Sequence, residues 1–266
     1  MAEHWVCATC GVQHGVSASP PARCAICEDE RQYVGLAGQA WTSAAALREK
    51  HRNVFHEVAP GVWSIHTEPA FGIGQRAYLI QTGEGNLLWD SLTLTDGESL
   101  QRVRELGGVR AIAVSHPHYY SAMVDWSDGF GGVPIYLHED DREWAVRVYS
   151  AIHWWSGEER ELFGGLGLVR SGGHFAGYQV AHWAAGDGVL FAGDQPQVCM
   201  DGRWVTFMYS YPNWIPFSAA QVRRITGSLA GLRFERMYGA FGRNLLSDAK
   251  AIVARSEERY LRAIEG

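Results

Sequence analysis

The sequence predicts an α+β protein in which two β-sheets pack together beneath covering helices, behind a small cysteine-rich module at the N-terminus. In each half of the chain, strand pairs come first and helical patterns follow. Short glycine-containing turns join the paired strands, as in hairpins. The strand pairs cover residues 78–81 with 86–89 and 178–183 with 189–191, and the helical patterns cover 99–106, 218–229 and 247–264.

Composition bounds the class of protein. The chain has 266 residues, of which 47% are hydrophobic and 20% charged, enough for one large core or two unequal ones. A net charge of -6 argues against a broad nucleic-acid surface. No apolar run approaches the roughly 18 residues of a membrane span, and the first five residues do not resemble a secretory signal. We therefore expect a cytoplasmic protein without membrane contact, whose closely spaced cysteines bind metal.

Four of the five cysteines form two pairs, Cys7-x-x-Cys10 and Cys24-x-x-Cys27. Each pair can form a tight knuckle with both sulfurs facing one point, and two knuckles supply the four thiolates of a tetrahedral zinc site. The connecting loop 11–23 holds two glycines and two prolines, which suits a turn-rich connection. We interpret residues 1–38 as a zinc ribbon; four unligated thiols or two disulfides are the alternatives.

The expected ribbon zinc is structural, because a closed four-cysteine site leaves no open coordination position. A module of about 35 residues cannot build a sufficient core alone, and the metal replaces that core. The acidic run 28–30 offsets Arg23 and Arg31, so the module presents no basic face. We expect it to dock onto its own main domain or onto a partner subunit.

The rest of the chain divides into a helical linker, residues 39–54, and a main domain, residues 55–266. In the linker, Thr42 and Ser43 are candidate caps of a short helix. In the main domain, the strand at 133–137 is expected to lead into a helix from about Asp140 to Tyr149.

Three motifs of the main domain place metal-binding side chains on loops at strand ends. His116-Pro117-His118 follows a short apolar strand at 111–114, which is typical of a strand buried on both faces. His174 follows two glycines, and Asp194 ends the second predicted hairpin. Two imidazoles one residue apart can reach one ion, and a third from far along the chain completes a three-nitrogen face.

The order His-x-His, Gly-Gly-His-x-x-Gly and Phe-Ala-Gly-Asp resembles the metallo-β-lactamase superfamily from about residue 55 onward. The resemblance implies a four-layer αββα sandwich with a metal site along one edge of its β core. It implies that His116, His118 and His174 bind one metal, with Asp194 bound to it or bridging to a second. It also implies a structural role for Asp90.

The chain departs from this family at the second metal position. The family's first motif usually reads His-x-His-x-Asp-His, but Tyr120 and Ser121 stand here at the last two positions. The late loop 238–242 holds no histidine where the family usually has one. Because a phenol and a hydroxyl are poor zinc ligands, we expect one metal at this site.

The main hypothesis is a hydrolase that acts on a small ester, thioester or lactone through a mononuclear zinc-bound water, with a degenerate second metal site. The alternative is a catalytically inactive binding or assembly protein of the same fold, which binds a small molecule without converting it. A mononuclear iron oxygenase or redox protein is a third interpretation, because histidine and carboxylate also suit iron.

Further side chains complete the predicted site. Asp194 is the expected orienting group or base, and Tyr120 the hydrogen-bond donor to a developing oxyanion. Arg243 and Asn244 are expected to contact an anionic group of the substrate. The aromatic segment 208–217 is interpreted as a lid or as the contact of a homo-oligomer. The sequence does not identify the substrate.

Overall fold

Two large β-sheets and six helices form the fold in the computed structural model, which describes residues 2–266. The strands are β1 (Glu3–Cys7), β2 (Gln13–Ser17), β3 (Trp41–Ser43), β4 (Arg52–Ala59), β5 (Val62–Glu68), β6 (Ala77–Thr82), β7 (Gly85–Trp89), β8 (Ala111–Ala113), β9 (Ile135–His138), β10 (Ile152–Trp155), β11 (Glu159–Glu161), β12 (Leu166–Arg170), β13 (Gln179–Trp183), β14 (Val189–Gly193), β15 (Gln197–Val198), β16 (Val205–Thr206), β17 (Met208–Ser210), β18 (Ile215–Pro216), β19 (Arg236–Gly239) and β20 (Asn244–Leu245). The helices are α1 (Ala25–Glu28), α2 (Ala44–Arg48), α3 (Gly97–Glu105), α4 (Met123–Gly129), α5 (Ala219–Leu229) and α6 (Ala249–Glu265), with 3₁₀ turns at Pro117–Tyr119 and Glu139–Trp144.

Both large sheets are mixed. The first has seven strands in the order β10-β9-β8-β7-β6-β5-β4, antiparallel from β4 to β7 and parallel from β7 to β10. The second has six strands in the order β11-β12-β13-β14-β19-β20, with β14 and β19 parallel. The parallel strands end on loops at the same edge of the sandwich, and those loops carry the polar residues described below.

Three layers of buried side chains show that the molecule is a four-layer sandwich. Along β7, Leu87 and Trp89 pack between the two sheets, whereas Leu88 packs towards α3 and α4. The alternation follows from the two-residue period of a strand. On the far side, α5 and α6 cover the second sheet with Val222, Ile252 and their neighbours. The predicted α+β fold with αββα layers is confirmed.

The N-terminal module forms a three-stranded sheet in the order β2-β1-β3. Its third strand comes from the segment 39–54 that the sequence predicted as a helical linker. Only Ala44–Arg48 of that segment is helical, with the Ser43 side chain accepting a hydrogen bond from the Ala46 amide. Trp41–Ser43 pairs with β1 instead, and β4 starts at Arg52, before the predicted boundary at residue 55. Residues 41–43 therefore form a strand rather than a helix, because they pair with the edge of β1 that β2 leaves open.

The predicted helix over 140–149 is wrong, because the structure shows only a 3₁₀ turn at Glu139–Trp144. The Asp141 side chain is buried there and accepts a hydrogen bond of 2.7 Å from the Gly177 amide. Burial raises the pKa of Asp141 to about 7. This long-range contact fixes the chain in a tight turn, which the helical pattern of the sequence could not anticipate.

Among the described residues, every helix is too short or too polar to cross a lipid bilayer.

Candidate metal centre

The first two histidines of the site lie on the loop that follows β8. His116 is in an extended conformation, and Pro117 starts the 3₁₀ turn that carries His118. The two imidazole rings lie 5.1 Å apart between their centroids. Proline suits the first position of such a turn because its fixed φ and missing amide cost nothing there. The His-x-His motif therefore presents both rings on one side of the loop.

The third histidine, His174, lies on the loop between β12 and β13. Gly172 and Gly173 precede it, both with positive φ. A Cβ atom on Gly173 would lie 1.8 Å from the Gln195 side chain, so this position needs glycine for both conformation and space. The glycine pair thus lets the loop turn tightly and bring His174 to within 4.7 Å of the His116 ring centroid.

The three histidines converge on one point. One nitrogen from each ring lies within 4.8 Å of the others. All three Nε2 atoms are buried and have no hydrogen-bond partner among residues 2–266. Burial lowers the pKa of all three imidazoles, of His116 and His118 well below the usual value. Since a buried polar atom without a partner is costly and a neutral imidazole is a good ligand, the arrangement fits a metal ion.

The other nitrogen of two rings is held by the protein. His116 Nδ1 lies 2.9 Å from Ser115 Oγ, and that hydroxyl donates to Asp90 Oδ1 at 2.7 Å. His174 Nδ1 faces the carbonyl oxygen of Met208 at 3.4 Å. A proton on Nδ1 leaves the lone pair of Nε2 free for a metal, and such partners fix the ring orientation. Asp90 therefore acts through Ser115, and burial raises the pKa of its carboxyl to about 7.

Asp194 lies beside two of the three rings. Its Oδ1 atom is 3.8 Å from His116 Nε2 and 3.7 Å from His174 Nε2. The Tyr119 hydroxyl donates to Oδ2 at 3.0 Å, and the Tyr178 hydroxyl lies 3.1 Å from Oδ1. Asp194 does not belong to the set of donors within 4.8 Å of one another. Its carboxylate is therefore adjacent to the convergent nitrogens and accepts a hydrogen bond from Tyr119, while the Tyr178 hydroxyl accepts from the Asp194 amide at 2.9 Å.

Replacing Tyr119 by phenylalanine is expected to destabilise the fold and loosen Asp194. The hydroxyl is fully buried and donates to a carboxylate, and hydrogen bonds to charged groups contribute about 1.5–3 kcal/mol. We expect urea unfolding to show a loss of that order. Tyr149→Phe is the control, since its phenol bonds Asp128 at the surface. Equal effects of the two substitutions would contradict a special role for Tyr119.

The structure does not bring Tyr120 to this centre, so its predicted role as oxyanion donor is corrected. Its ring is buried on the opposite side of the loop, where it lines a small separate cavity with Val12 and Arg147. Consecutive residues of the 3₁₀ turn face different directions, which is why Tyr119 and not Tyr120 reaches Asp194. Ser121 has a φ of 40°, and its Oγ accepts a hydrogen bond from Gln75 at 2.8 Å.

Beyond the histidines lies a cavity of about 380 Å³. Its walls are Arg31, Gln32, Ile73, His118, His174, Asp194, Gln197, Tyr209, Tyr211, Pro212, Phe241 and Arg243. The segment 208–217 forms the β17–β18 hairpin, and its residues Tyr209, Tyr211 and Pro212 line this wall; its interpretations as a lid or as an oligomer contact stay predictions. Arg243 lines the cavity, whereas Asn244 does not. Asn244 Oδ1 accepts a hydrogen bond from the Gly239 amide at 3.2 Å, so its predicted contact with substrate is corrected.

Two wall residues, Arg31 and Gln32, come from the N-terminal module and were not predicted as site residues. Gln32 is buried, and its Oε1 atom has no hydrogen-bond partner in the part of the chain that the structure describes. No motif marks this pair in the sequence, because their position depends on how the module docks. In the sequence, the acidic neighbours of Arg31 indicate only a charge balance.

The four cysteines of the module form a second metal-binding geometry. Their sulfurs all lie within 4.8 Å of one another, with Cys7 and Cys27 at 3.5 Å and Cys10 and Cys24 at 3.8 Å. A tetrahedral zinc site with bonds of about 2.3 Å places its sulfurs roughly 3.8 Å apart. Hydrogen bonds from Cys10 lower the pKa of Cys7 to about 6 and lower that of Cys24 as well. Hydrogen bonding within the cluster and burial raise the pKa of Cys10 and Cys27, so the fit to a shared cation rests on four buried sulfurs at these distances.

Comparisons with known proteins agree with this architecture. The family model of the metallo-beta-lactamase superfamily matches residues 71–238, more than half of the chain. The uncharacterized protein YmaE of Bacillus subtilis (strain 168) is 47% identical, and the similarity covers 98% of this chain and 97% of that protein.

Solved structures show the same fold at low sequence identity. The mono-zinc form of the metallo-beta-lactamase FIM-1 from Pseudomonas aeruginosa is 13% identical with a TM-score of 0.57, covering 78% of this chain and 95% of that one. TMB-1 is 14% identical with a TM-score of 0.62, covering 80% and 98%. The chain belongs to the metallo-beta-lactamase superfamily.

Proposed function

We propose that this protein is a metal-dependent hydrolase that uses one metal ion at the three-histidine site to act on a small ester, thioester or lactone. One observation carries the proposal. Three neutral imidazole nitrogens are buried without partners in the described chain, beside a cavity that His118 and His174 line. A bound metal would supply Lewis acidity and a nucleophile near neutral pH.

Zinc is the proposed ion at both sites. Thiolates and imidazoles both suit zinc, and a four-cysteine set is typical of its structural sites. Iron is the alternative at the histidine site, where a carboxylate lies beside three imidazoles. Elemental analysis of protein purified without added metal distinguishes the two ions.

Asp194 is the proposed base and orienting group of the reaction. Tyr119 donates to its carboxylate, Tyr178 accepts from its backbone amide, and Oδ1 lies 3.7–3.8 Å from the Nε2 atoms of His116 and His174. A carboxylate fixed there can accept a proton from a nucleophile next to the histidines. The hydrogen bond from Tyr119 to Oδ2 leaves Oδ1 on the side of the histidines.

Arg243 is the proposed contact for an anionic group of the substrate. Its Nε donates to the Val198 carbonyl at 2.9 Å, which anchors the side chain at the cavity wall. We expect Arg243→Gln to raise KM for an anionic substrate by about 10- to 100-fold, the size of a charge-assisted hydrogen bond. The KM for a neutral ester should change little. The comparison requires steady-state kinetics with a matched pair of substrates, and an equal rise for both would contradict the assignment.

The test of the proposed function is a screen of the metal-loaded protein against small esters, thioesters and lactones. We expect turnover that a chelator removes and that added zinc restores. If all bound metal resides in the cysteine cluster and no substrate turns over, the proposal is wrong.

A catalytically inactive binding protein is the second candidate. The burial of Tyr120 and the bonding of Ser121 to Gln75 favour it, because both positions hold second-metal ligands in the family pattern. Binding of a small molecule that persists in a His116→Ala, His118→Ala double variant would support this candidate. Chelator-sensitive turnover would exclude it.

We further propose a cytoplasmic location, because four closely spaced cysteines without disulfides are best kept available for metal in a reducing compartment. We also propose that residues 1–38, completed by β3, form the ribbon, and that the chain from β4 onward forms the main domain.

A further inference from the structure

Residues 29–32 of the N-terminal module, which we term the ribbon arm, lie against the loop that carries His174. Arg31 lies at the centre of the arm, and only 13% of its side chain is exposed. Its guanidinium binds both carboxylate oxygens of Asp29, and its Nη1 donates to the backbone carbonyl of His174 at 2.6 Å. All three guanidinium nitrogens therefore donate hydrogen bonds, Nε and Nη2 to Asp29 of the arm and Nη1 to the third histidine.

Aromatic rings fix the guanidinium further. The Arg31 guanidinium carbon lies 4.0 Å from the ring centroid of Phe175 and 4.9 Å from that of Trp144. Phe175 directly follows His174 in the chain, so the arginine holds this short loop through both backbone and ring. Planar stacking and directed hydrogen bonds together are a property of arginine that lysine does not share.

The arm also contacts the hairpin β17–β18, which supplies the other partner of His174. Tyr209 donates to the Glu30 carboxylate at 2.6 Å, and Asn213 donates to the carbonyl oxygens of Glu30 and Gln32 at 2.9 Å. Met208, at the start of the same hairpin, presents the carbonyl that faces His174 Nδ1. The arm thus holds both the backbone of His174 and the strand that orients its ring.

We propose that Arg31 is a positioning residue for His174 and that the N-terminal ribbon is thereby a working part of the three-histidine site. The inference rests on the proposed function, because it requires that this site binds metal. The loop of His116 and His118 also meets the module, where the Gln13 amide donates to the Ser121 carbonyl at 3.0 Å. His174 differs in that its own backbone carbonyl accepts a hydrogen bond from the module, through Arg31.

Partners that orient a metal-bound histidine typically change metal affinity by 10- to 100-fold when they are removed. We therefore expect Arg31→Gln to weaken metal binding at the histidine site by about that factor. Arg31→Lys keeps the charge but not the fork, so it should recover only part of the affinity. Asn213→Ala leaves the ribbon sequence intact and loosens the hairpin contact, so it should weaken binding in the same direction.

The experiment uses the full chain with zinc retained in the cysteine cluster and titrates Co²⁺ into the histidine site. The visible absorption of Co²⁺ reports both affinity and ligand geometry. Arg23→Gln is the matched control, since Arg23 belongs to the same module and 77% of its side chain is exposed. Weaker Co²⁺ binding and an altered spectrum in Arg31→Gln and Asn213→Ala, but not in Arg23→Gln, would support the inference.

Wild-type affinity and spectrum in both variants would overturn it, while the proposed function would stand. If Arg31→Gln loses the cluster zinc, the result with Asn213→Ala decides. A wild-type protein that binds no Co²⁺ outside the cysteine cluster would overturn the proposed function and this inference together.

Discussion

Substitution of His118 by alanine is expected to remove the metal of the histidine site and leave the metal of the cysteine cluster in place. Two nitrogens remain after the change, and two imidazoles without a third donor hold a divalent ion poorly. Metal content should therefore fall from about two ions per chain to about one. Chelator-sensitive hydrolysis should disappear with that ion. Elemental analysis and the ester screen measure both effects.

His153→Ala is the matched control, because His153 lies exposed on the edge strand β10. It should keep the wild-type metal content and turnover. Far-ultraviolet circular dichroism checks that His118→Ala keeps its fold. Full turnover in a folded His118→Ala variant would show that the hydrolysis does not depend on this histidine, and the mechanism proposed above would be wrong.

The double substitution Cys24→Ser, Cys27→Ser is expected to unfold the N-terminal module. The four cysteines lie among the buried residues of this small module, and metal binding supplies about 10–16 kcal/mol in comparable zinc peptides. Its loss should release the cavity wall that Arg31 and Gln32 form. We expect Co²⁺ affinity at the histidine site to fall at least about 10-fold, because His174 loses the partners that hold it.

Hydrogen exchange of the amides in β1, β2 and β3 measures the unfolding directly. These amides should lose protection in the double variant, while those of β7 and β8 keep it. Cys199→Ser is the control, since Cys199 is the fifth cysteine and lies outside the cluster. Retained protection in the module without its metal would show that docking alone suffices to fold it.

The sequence predicted those parts of the site whose ligands lie close together in the chain. The Cys-x-x-Cys pairs and the His-x-His motif place ligands within a few residues, and such spacings nearly fix the geometry. His174 is predicted by its place in the Gly-Gly-His-x-x-Gly motif, which carries part of the family resemblance. The predicted role of Tyr120 is wrong for a different reason. Consecutive residues at a 3₁₀ turn point in different directions, so Tyr119 reaches Asp194 and Tyr120 does not.

The sequence alone predicted the paired strands, the helices and the candidate metal ligands, because periodicity and ligand spacing act over a few residues, and the four-layer arrangement followed from the family resemblance. Only the tertiary structure decided which surface closes the cavity. Arg31 lies 143 residues from His174 in the chain, yet it donates a hydrogen bond to that loop. The same holds for β3, which joins the ribbon sheet because an unpaired edge of β1 is nearby. Contacts of this kind depend on how separately formed units pack, and no local pattern encodes them.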